Sequence, residues 1–147
     1  MKRLVMILAA GMLALGACGP GDIEVREPWA RAAMKGGNSA IYLTLSNRSS
    51  SADELVGVSC DAAEAAEIHL SQMSPDGVMQ MTPQESVPLA VGAQATFEPG
   101  GLHIMLIGLT RDLAAGDTIR AVLHFKSHAD ITIEVPIHQM DGMDMGG

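Results

Sequence analysis

The sequence predicts one all-β domain, a sandwich or a small barrel, on two observations. Short runs that alternate large apolar with small or polar residues recur along the chain, most clearly at residues 40–46, and a period of two is typical of half-buried strands. Turn sequences such as Pro99-Gly100-Gly101 separate several of these runs. Many short strands at this spacing indicate a sandwich or barrel.

The first element is a predicted lipoprotein signal peptide at residues 1–17. Lys2 and Arg3 precede an apolar run that is too short to span a bilayer. The run ends in Leu-Gly-Ala directly before Cys18, an order that resembles a bacterial lipoprotein signal. The resemblance implies a lipid on Cys18, with residues 18–24 as a tether. Ordinary secretion, with Cys18 a spare thiol, is the alternative.

Cleavage before Cys18 leaves 130 residues, enough for one domain and too few for two. Loss of two positive charges takes the formal net charge from −8 to −10. A chain this acidic is a poor nucleic-acid binder. Anionic lipids would also repel it, so any membrane association would come from the lipid anchor alone. With Cys18 lipidated, Cys60 is the one thiol left and no internal disulfide can form.

Nine strands are predicted after the tether, at residues 40–46, 55–58, about 66–70, 79–81, 87–89, 95–97, 103–109, 118–125 and 131–135. The segment at 64–70 is ambiguous because Ala and Glu favour helix, but its place between strands favours a strand. The folded domain is predicted to span residues 25–136. Residues 137–147 are predicted to be a flexible His/Met-rich tail.

Two clusters carry chemistry. Residues 69–81 hold one histidine and three methionines, and His103 and Met105 share one face of a predicted strand. Imidazole and thioether donors favour Cu(I) over magnesium or calcium, whereas zinc sites use Cys, His and carboxylate. A blue-copper site needs a Cys thiolate, and Cys60 has no ligand-type neighbour before His69. From the residues alone, a soft-metal site and ordinary methionine packing both remain open.

The spacing resembles the motif of the PCuAC family, the periplasmic copper chaperones. That motif reads His, an optional Met, ten residues, Met, twenty-one residues, then His-any-Met. Here Leu70 holds the optional position after His69, ten residues lead to Met81, and twenty-one more lead to His103 and Met105. Segments 28–31, 40–47, 76–81 and 99–109 are also similar to the family, so the resemblance covers about residues 25–136.

The resemblance implies a cupredoxin-like Greek-key β-sandwich that holds one Cu(I) through His69, Met81, His103 and Met105. It implies a periplasmic chaperone, not an enzyme, that receives copper from a donor protein. The ion then passes by ligand exchange to an acceptor, towards the copper centres of cytochrome c oxidase. Exchange with a partner requires a site near the surface, which is expected in loops, and a monomer suits a shuttle.

The predicted tail mixes soft and hard donors, namely His138, Met140, Met143, Met145, Asp141 and Asp144. It resembles the His/Met-rich extension of some family members, which implies a second copper site for Cu(II) or Cu(I). A solvated acidic tail with incidental methionines is the alternative. Met73 and Met79 lie outside the motif and are interpreted as rim residues, and Cys60 as a buried apolar cysteine outside the site.

Three other functions belong to different classes. An electron-transfer cupredoxin would need a Cys ligand, and a lipid-anchored β-sandwich could serve only as a structural or interaction module. An enzyme is the weakest alternative, because no Ser-His-Asp or paired-carboxylate arrangement stands out in the sequence. From the ligands alone, a copper oxidase or reductase stays open.

Overall fold

The computed structural model describes residues 22–139, and over this range the protein is all-β, which confirms the predicted fold class. The strands are β1 Ile23–Arg31, β2 Ser39–Asn47, β3 Asp53–Cys60, β4 Ala63–Met73, β5 Met79–Pro83, β6 Val87–Leu89, β7 Gln94–Phe97, β8 Leu102–Leu109, β9 Thr118–Phe125 and β10 Ile131–His138. Between residues 22 and 139, no helix is long and apolar enough to cross a membrane. The predicted signal peptide, Cys18, Met140, Met143 and Met145 lie outside the described residues.

The ten strands form one continuous sheet in the order β5-β4-β8-β7-β2-β1-β10-β9-β3-β6. Neighbours pair antiparallel except β1 with β10 and β7 with β8, and β2 also pairs directly with β8. The sheet curls back on itself, since β3 contacts β4 and β6 contacts β7. Its order departs from the chain order, so connections cross between the two halves, as a Greek-key sandwich requires.

The core forms where the inward residues of both halves meet. On β2, Ile41 and Leu45 are fully buried, and on β8 Ile104 and Leu106 are fully buried as well. Burial of each such side chain contributes about 1.5–3 kcal/mol. Because successive side chains of a strand point to opposite faces, His103 before Ile104 and Met105 after it are directed to the outer face. That alternation positions the candidate site.

Of the ten strands in residues 22–139, β1 is the one that was not predicted from the sequence. Its register against β2 shifts between Arg26 and Trp29, and Glu27 adopts φ 51°, so the strand carries a bulge. A bulge inserts an extra residue and breaks the period of two on which strand prediction depends. Its effect is to place Trp29 opposite Tyr42.

The nine predicted strands are all present, several with longer ends. The ambiguous segment at 64–70 lies within β4. β10 continues to His138, two residues into the segment predicted as a tail. The reason is that Ile137 extends the inward alternation of Val135, is 2% exposed, and donates its N–H to the carbonyl of Asp117 at 2.8 Å.

Candidate metal centre

Three neighbouring strands bring the four predicted ligands to one outer face of the sheet. His69 on β4 lies directly opposite His103 on β8, and Met105 lies two residues further along β8. On the other side of β4, Met81 of β5 lies opposite Ser71. Since residues two apart share a face, all four side chains emerge on the same side. The expectation of loops is wrong, because the residues lie within strands.

A cavity of about 200 Å³ opens on this face, and Met81, His103 and Met105 are among the residues that line it. His69 lies beside it, with its ring centroid 5.7 Å from that of His103 in an edge-on arrangement. The structure therefore gathers three predicted ligands around one space and places the fourth against them.

His103 is held so that one ring nitrogen remains free. The residue is 4% exposed, and its Nδ1 donates to the carbonyl of Gly101 at 3.1 Å. Nε2 is buried and has no hydrogen-bond partner among residues 22–139. A neutral imidazole that donates from Nδ1 carries its lone pair on Nε2. A metal ligand requires that form.

His69 has the complementary arrangement. Its Nε2 donates to Oε2 of Glu67 at 2.8 Å, while Nδ1 is buried and unpaired within the described part of the chain. Glu67 was not among the residues predicted for the site, although its place two residues before His69 on the same strand face indicates a partner for that ring. Carboxylates and carbonyls that hold the second nitrogen of a ligating histidine orient the ring and raise its basicity.

The donor set fits a soft metal ion. Two buried imidazole nitrogens without a hydrogen-bond partner in residues 22–139 lie beside two thioethers, and unsatisfied buried polar atoms of this kind are costly unless something binds them. Over residues 22–139, no group of three or more His, Cys, Asp or Glu side chains is arranged to hold a metal. An ion at this pocket would therefore take sulfur from Met81 and Met105.

One wall of the cavity is cationic and aromatic. The Arg31 guanidinium lies 5.3 Å from the centre of the Tyr42 ring, and both residues line the cavity. Burial raises the pKa of the Tyr42 hydroxyl, and the Arg31 charge opposes that effect. Trp29 packs on Tyr42 at 4.7 Å, and His138 stacks on Trp29 at 5.6 Å. His138 thus lies one strand from the cavity wall, paired with Arg31.

Cys60 is remote from this face. It ends β3, before the start of β4, and six residues of strand from Ala63 to His69 span about 20 Å. The thiol is half-buried, and that burial raises its pKa, which disfavours the thiolate that metals bind. Cys60 therefore does not line the pocket, and it is half-buried where the sequence predicted a buried apolar cysteine.

A Ser-His-Asp row that the sequence analysis did not detect lies on the other half of the sheet. Ser59 Oγ donates to Nε2 of His124 at 2.7 Å, and Nδ1 of His124 donates to Asp130 at 3.1 Å. The row lies on the outer surface of β3 and β9, and its members are not among the lining of the cavity beside His103. The sequence gives no signal for this row, because Ser59 and His124 lie 65 positions apart and only the strand register brings them together.

Comparison with known families gives a match over nearly the whole described chain. The family described as "Putative lipoprotein LpqE-like" matches residues 23–137. A "putative lipoprotein" of Leifsonia xyli subsp. xyli is 27% identical over 120 residues, which cover 82% of this chain and 72% of that one. An uncharacterized protein of Rickettsia prowazekii is 33% identical over 116 residues, 76% of this chain and 64% of that one.

Solved structures share the fold. The apo PCuAC domain from PmoF1 superposes with a TM-score of 0.67 at 25% identity, covering 82% of this chain and 97% of that one. The copper-bound PCuAC domain from PmoF2 gives 0.67 at 21% identity, covering 82% and 96%, a likeness of fold. The solution structure of CuI-DR1885 from Deinococcus radiodurans gives 0.57 at 25% identity, covering 84% and 82%. The sheet is therefore the cupredoxin-like sandwich of PCuAC domains.

Proposed function

The chain belongs to the LpqE-like family of PCuAC proteins, and from this premise we propose that it is an extracytoplasmic copper chaperone. It binds one Cu(I) through His69, Met81, His103 and Met105 and passes the ion to an acceptor by ligand exchange, towards the assembly of cytochrome c oxidase copper centres. One structural neighbour at 25% identity supports copper as the cargo, since it is the solution structure of CuI-DR1885.

The observation that carries this proposal is the pair of unpaired imidazole nitrogens. Nε2 of His103 and Nδ1 of His69 are both buried, both without a hydrogen-bond partner in residues 22–139, and belong to adjacent rings. Each ring is fixed by an oxygen at its other nitrogen, which leaves its lone pair ready. A structural role would leave two buried acceptors unsatisfied at a cost of about 1–3 kcal/mol each.

Transfer would follow from the chemistry of the donors. Thioethers are soft and neutral, so they hold Cu(I) yet yield to a partner's thiolate without a proton moving. Met81 is 57% exposed, which places one sulfur where an incoming ligand can replace it. Methionine cannot form a disulfide with its partner in an oxidising compartment. Its oxidation to the sulfoxide would remove a ligand.

Anaerobic Cu(I) titration of the mature chain against a competing chelator tests the proposal. Met81→Ala and His103→Ala are compared with wild type, and Met34→Ala serves as the matched control because Met34 is 76% exposed and does not line the cavity. We expect one tight Cu(I) that both site variants weaken by at least about tenfold and that the control leaves unchanged. Tight binding untouched by either site variant would contradict the site, and absence of binding would leave a lipid-anchored structural module.

The anchor belongs to the same proposal. A lipid on Cys18 and residues 18–24 as a tether would hold the domain outside a bacterial membrane, and the named lipoprotein of Leifsonia supports this. We expect mass spectrometry of the membrane fraction to find acyl chains on Cys18. The Cys18→Ser variant should appear in the soluble fraction, and a variant that stays on the membrane would contradict the anchor.

A second copper site in the tail is also proposed, formed by His138, Met140, Met143 and Met145. Its support is that His138 ends β10 beside Arg31 of the cavity wall, so the tail starts next to the pocket. The test is a stop codon after Gln139, since truncation after Pro136 would remove the buried Ile137 and damage the sheet. We expect the shortened chain to bind about one copper fewer, and unchanged stoichiometry and uptake would contradict the tail site.

A further inference from the structure

The β4–β5 hairpin carries three methionines on one face. Met73 on β4 lies directly opposite Met79 on β5, and Met81 opposite Ser71 is the next pair on that face. The intervening pair, Gln72 and Gln80, points to the other face. The strand register therefore lines up three thioethers from the hairpin tip to the pocket of His69 and His103.

These methionines do not serve as packing. Met73, Met79 and Met81 are 63%, 51% and 57% exposed, and four of the seven exposed large hydrophobic residues found in 22–139 fall between residues 73 and 81. Flexible filling of core gaps is the usual use of methionine, and exposed side chains fill no gap. Apolar side chains concentrated on an exposed edge strand are an association hazard that proteins ordinarily avoid. The clustering of these exposed methionines therefore indicates a role for their sulfur atoms.

The register allows the three sulfurs to converge. Directly opposed side chains have Cβ atoms about 4.5–5.5 Å apart, and diagonal neighbours lie about 7–8 Å apart at most. Met79 and Met81 are separated by two residues of strand, about 6.6 Å. Each side chain has three rotatable bonds and ends in a polarizable thioether, so the three sulfurs can reach one ion.

We infer that Met73, Met79 and Met81 form a second, solvent-open site for a soft monovalent cation, Cu(I) or Ag(I), with Met81 shared between this site and the pocket. Neutral thioethers as the whole donor set select soft monovalent ions. The ion enters at Met73 and Met79 and keeps its bond to Met81 while His69, His103 and Met105 replace the other two sulfurs. No proton or electron moves in this exchange. Only the destination of the ion rests on the proposed function, and the hairpin site stands without it.

Residue-resolved NMR of the mature chain tests the inference, with methionine methyl groups labelled with ¹³C and Ag(I) as the probe. The substitution Met73→Leu with Met79→Leu removes two sulfurs at nearly constant volume on an exposed surface, so folding is preserved. Met34→Leu is the matched control, an exposed methionine outside the hairpin. His69→Ala separates the hairpin from the pocket.

We expect Ag(I) to shift the methyl signals of Met73 and Met79 in wild type, in the Met34→Leu control and in His69→Ala. The double variant should take up Ag(I) at least about tenfold more slowly at Met105 than the control does. Unshifted Met73 and Met79 signals alongside a shifted Met105 would overturn the inference and leave the proposed function standing. Shifted hairpin signals with Met105 unmoved would support the inference and count against the proposed pocket.

Discussion

The two halves of the sheet use histidine in opposite ways. On the β4–β8 side, His69 and His103 each donate one ring N–H to an oxygen, and the other nitrogen is buried without a partner among the residues that the structure describes. On the other half, both ring nitrogens of His124 are engaged, by Ser59 and Asp130. His128 likewise engages both, with the carbonyl of Ala129 and the carboxylate of Asp22.

The difference separates the two proposed ligands from the two histidines whose ring nitrogens are all engaged, without reference to a bound ion. A histidine whose two nitrogens both have partners needs no further ligand. A buried ring nitrogen without a hydrogen-bond partner is energetically unfavourable, so binding of a proton donor or a metal ion there is stabilising. Burial gives the same order, since the side chain of His69 is 14% exposed, that of His128 26% and that of His124 36%. The hydrogen bonds at each nitrogen supply a second, separate criterion.

The largest expected effect is on Cu(I) affinity, when one histidine is removed from each half of the sheet in turn. His69→Ala should lower Cu(I) affinity by about 100-fold or more, because it removes a proposed ligand and not a neighbour of one. His124→Ala, the matched histidine on the other half, should leave the affinity unchanged. Chelator competition measures both, and equal losses in the two variants would mean that the unpaired nitrogen has no special role.

A smaller effect is expected from the group that holds the ring. Glu67→Gln keeps an acceptor near Nε2 of His69 but removes its charge, so Cu(I) affinity should fall by about tenfold. Glu134→Gln is the control, a carboxylate paired with Arg120 on the other half. If Glu67→Gln matched its control, the carboxylate would be only a surface ion-pair partner.

The smallest effect concerns pH. The pKa of His128 is raised, chiefly because Nδ1 donates to the Ala129 carbonyl and also because of Asp22, and the His128 bond lowers the pKa of Asp22. Asp53, which accepts the backbone N–H of His128, is the other acidic group facing it. The His128 contribution is complete below its ordinary pKa of 6.5 and is lost as the pH rises through the raised value. The Asp22 contribution is present above its ordinary 3.8 and is lost as the pH falls through the lowered value.

His128→Gln should therefore lower the melting temperature by about 1–3 °C near pH 5.5, and by less at a pH above the raised pKa of His128, where wild type has lost the charge pair. Thermal denaturation followed by circular dichroism at the two pH values measures this. If the difference in melting temperature between wild type and His128→Gln were the same at both pH values, the His128 ring would stabilise the fold without its charge.

Strand prediction succeeded where alternation is undisturbed. β9 and β6 have the predicted bounds to the residue, because their buried side chains recur at every second position. β1 was missed because the bulge around Glu27 interrupts that period. The end of β10 was placed too early, at Val135, yet Pro136 occupies an outward position and Val135 and Ile137 continue the buried face.

The candidate site was predictable as a set of residue types and spacings, but not as an arrangement. The donor types of His69 and His103 indicated a soft metal, and the family resemblance supplied the set. The hydrogen bond of Glu67 to His69 and the opposed pair Met73 and Met79 depend on which residues two strands place side by side. That register is decided by packing across the sheet, which the order of residues along one strand does not reveal.

The four proposed ligands differ in depth, from Met81 at 57% exposed to His103 at 4%. For an ion held by that set, the exchange has a built-in sequence, in which the outer sulfur is displaced first and the innermost nitrogen last. Dissociation of the ion without an acceptor would require the bond to the buried His103 to break before another ligand can reach the ion. Release should therefore be associative, with a rate that rises with acceptor concentration and is negligible without one. Because the proposed ligands differ in depth, the acceptor and not the proposed chaperone would set the rate at which copper is delivered.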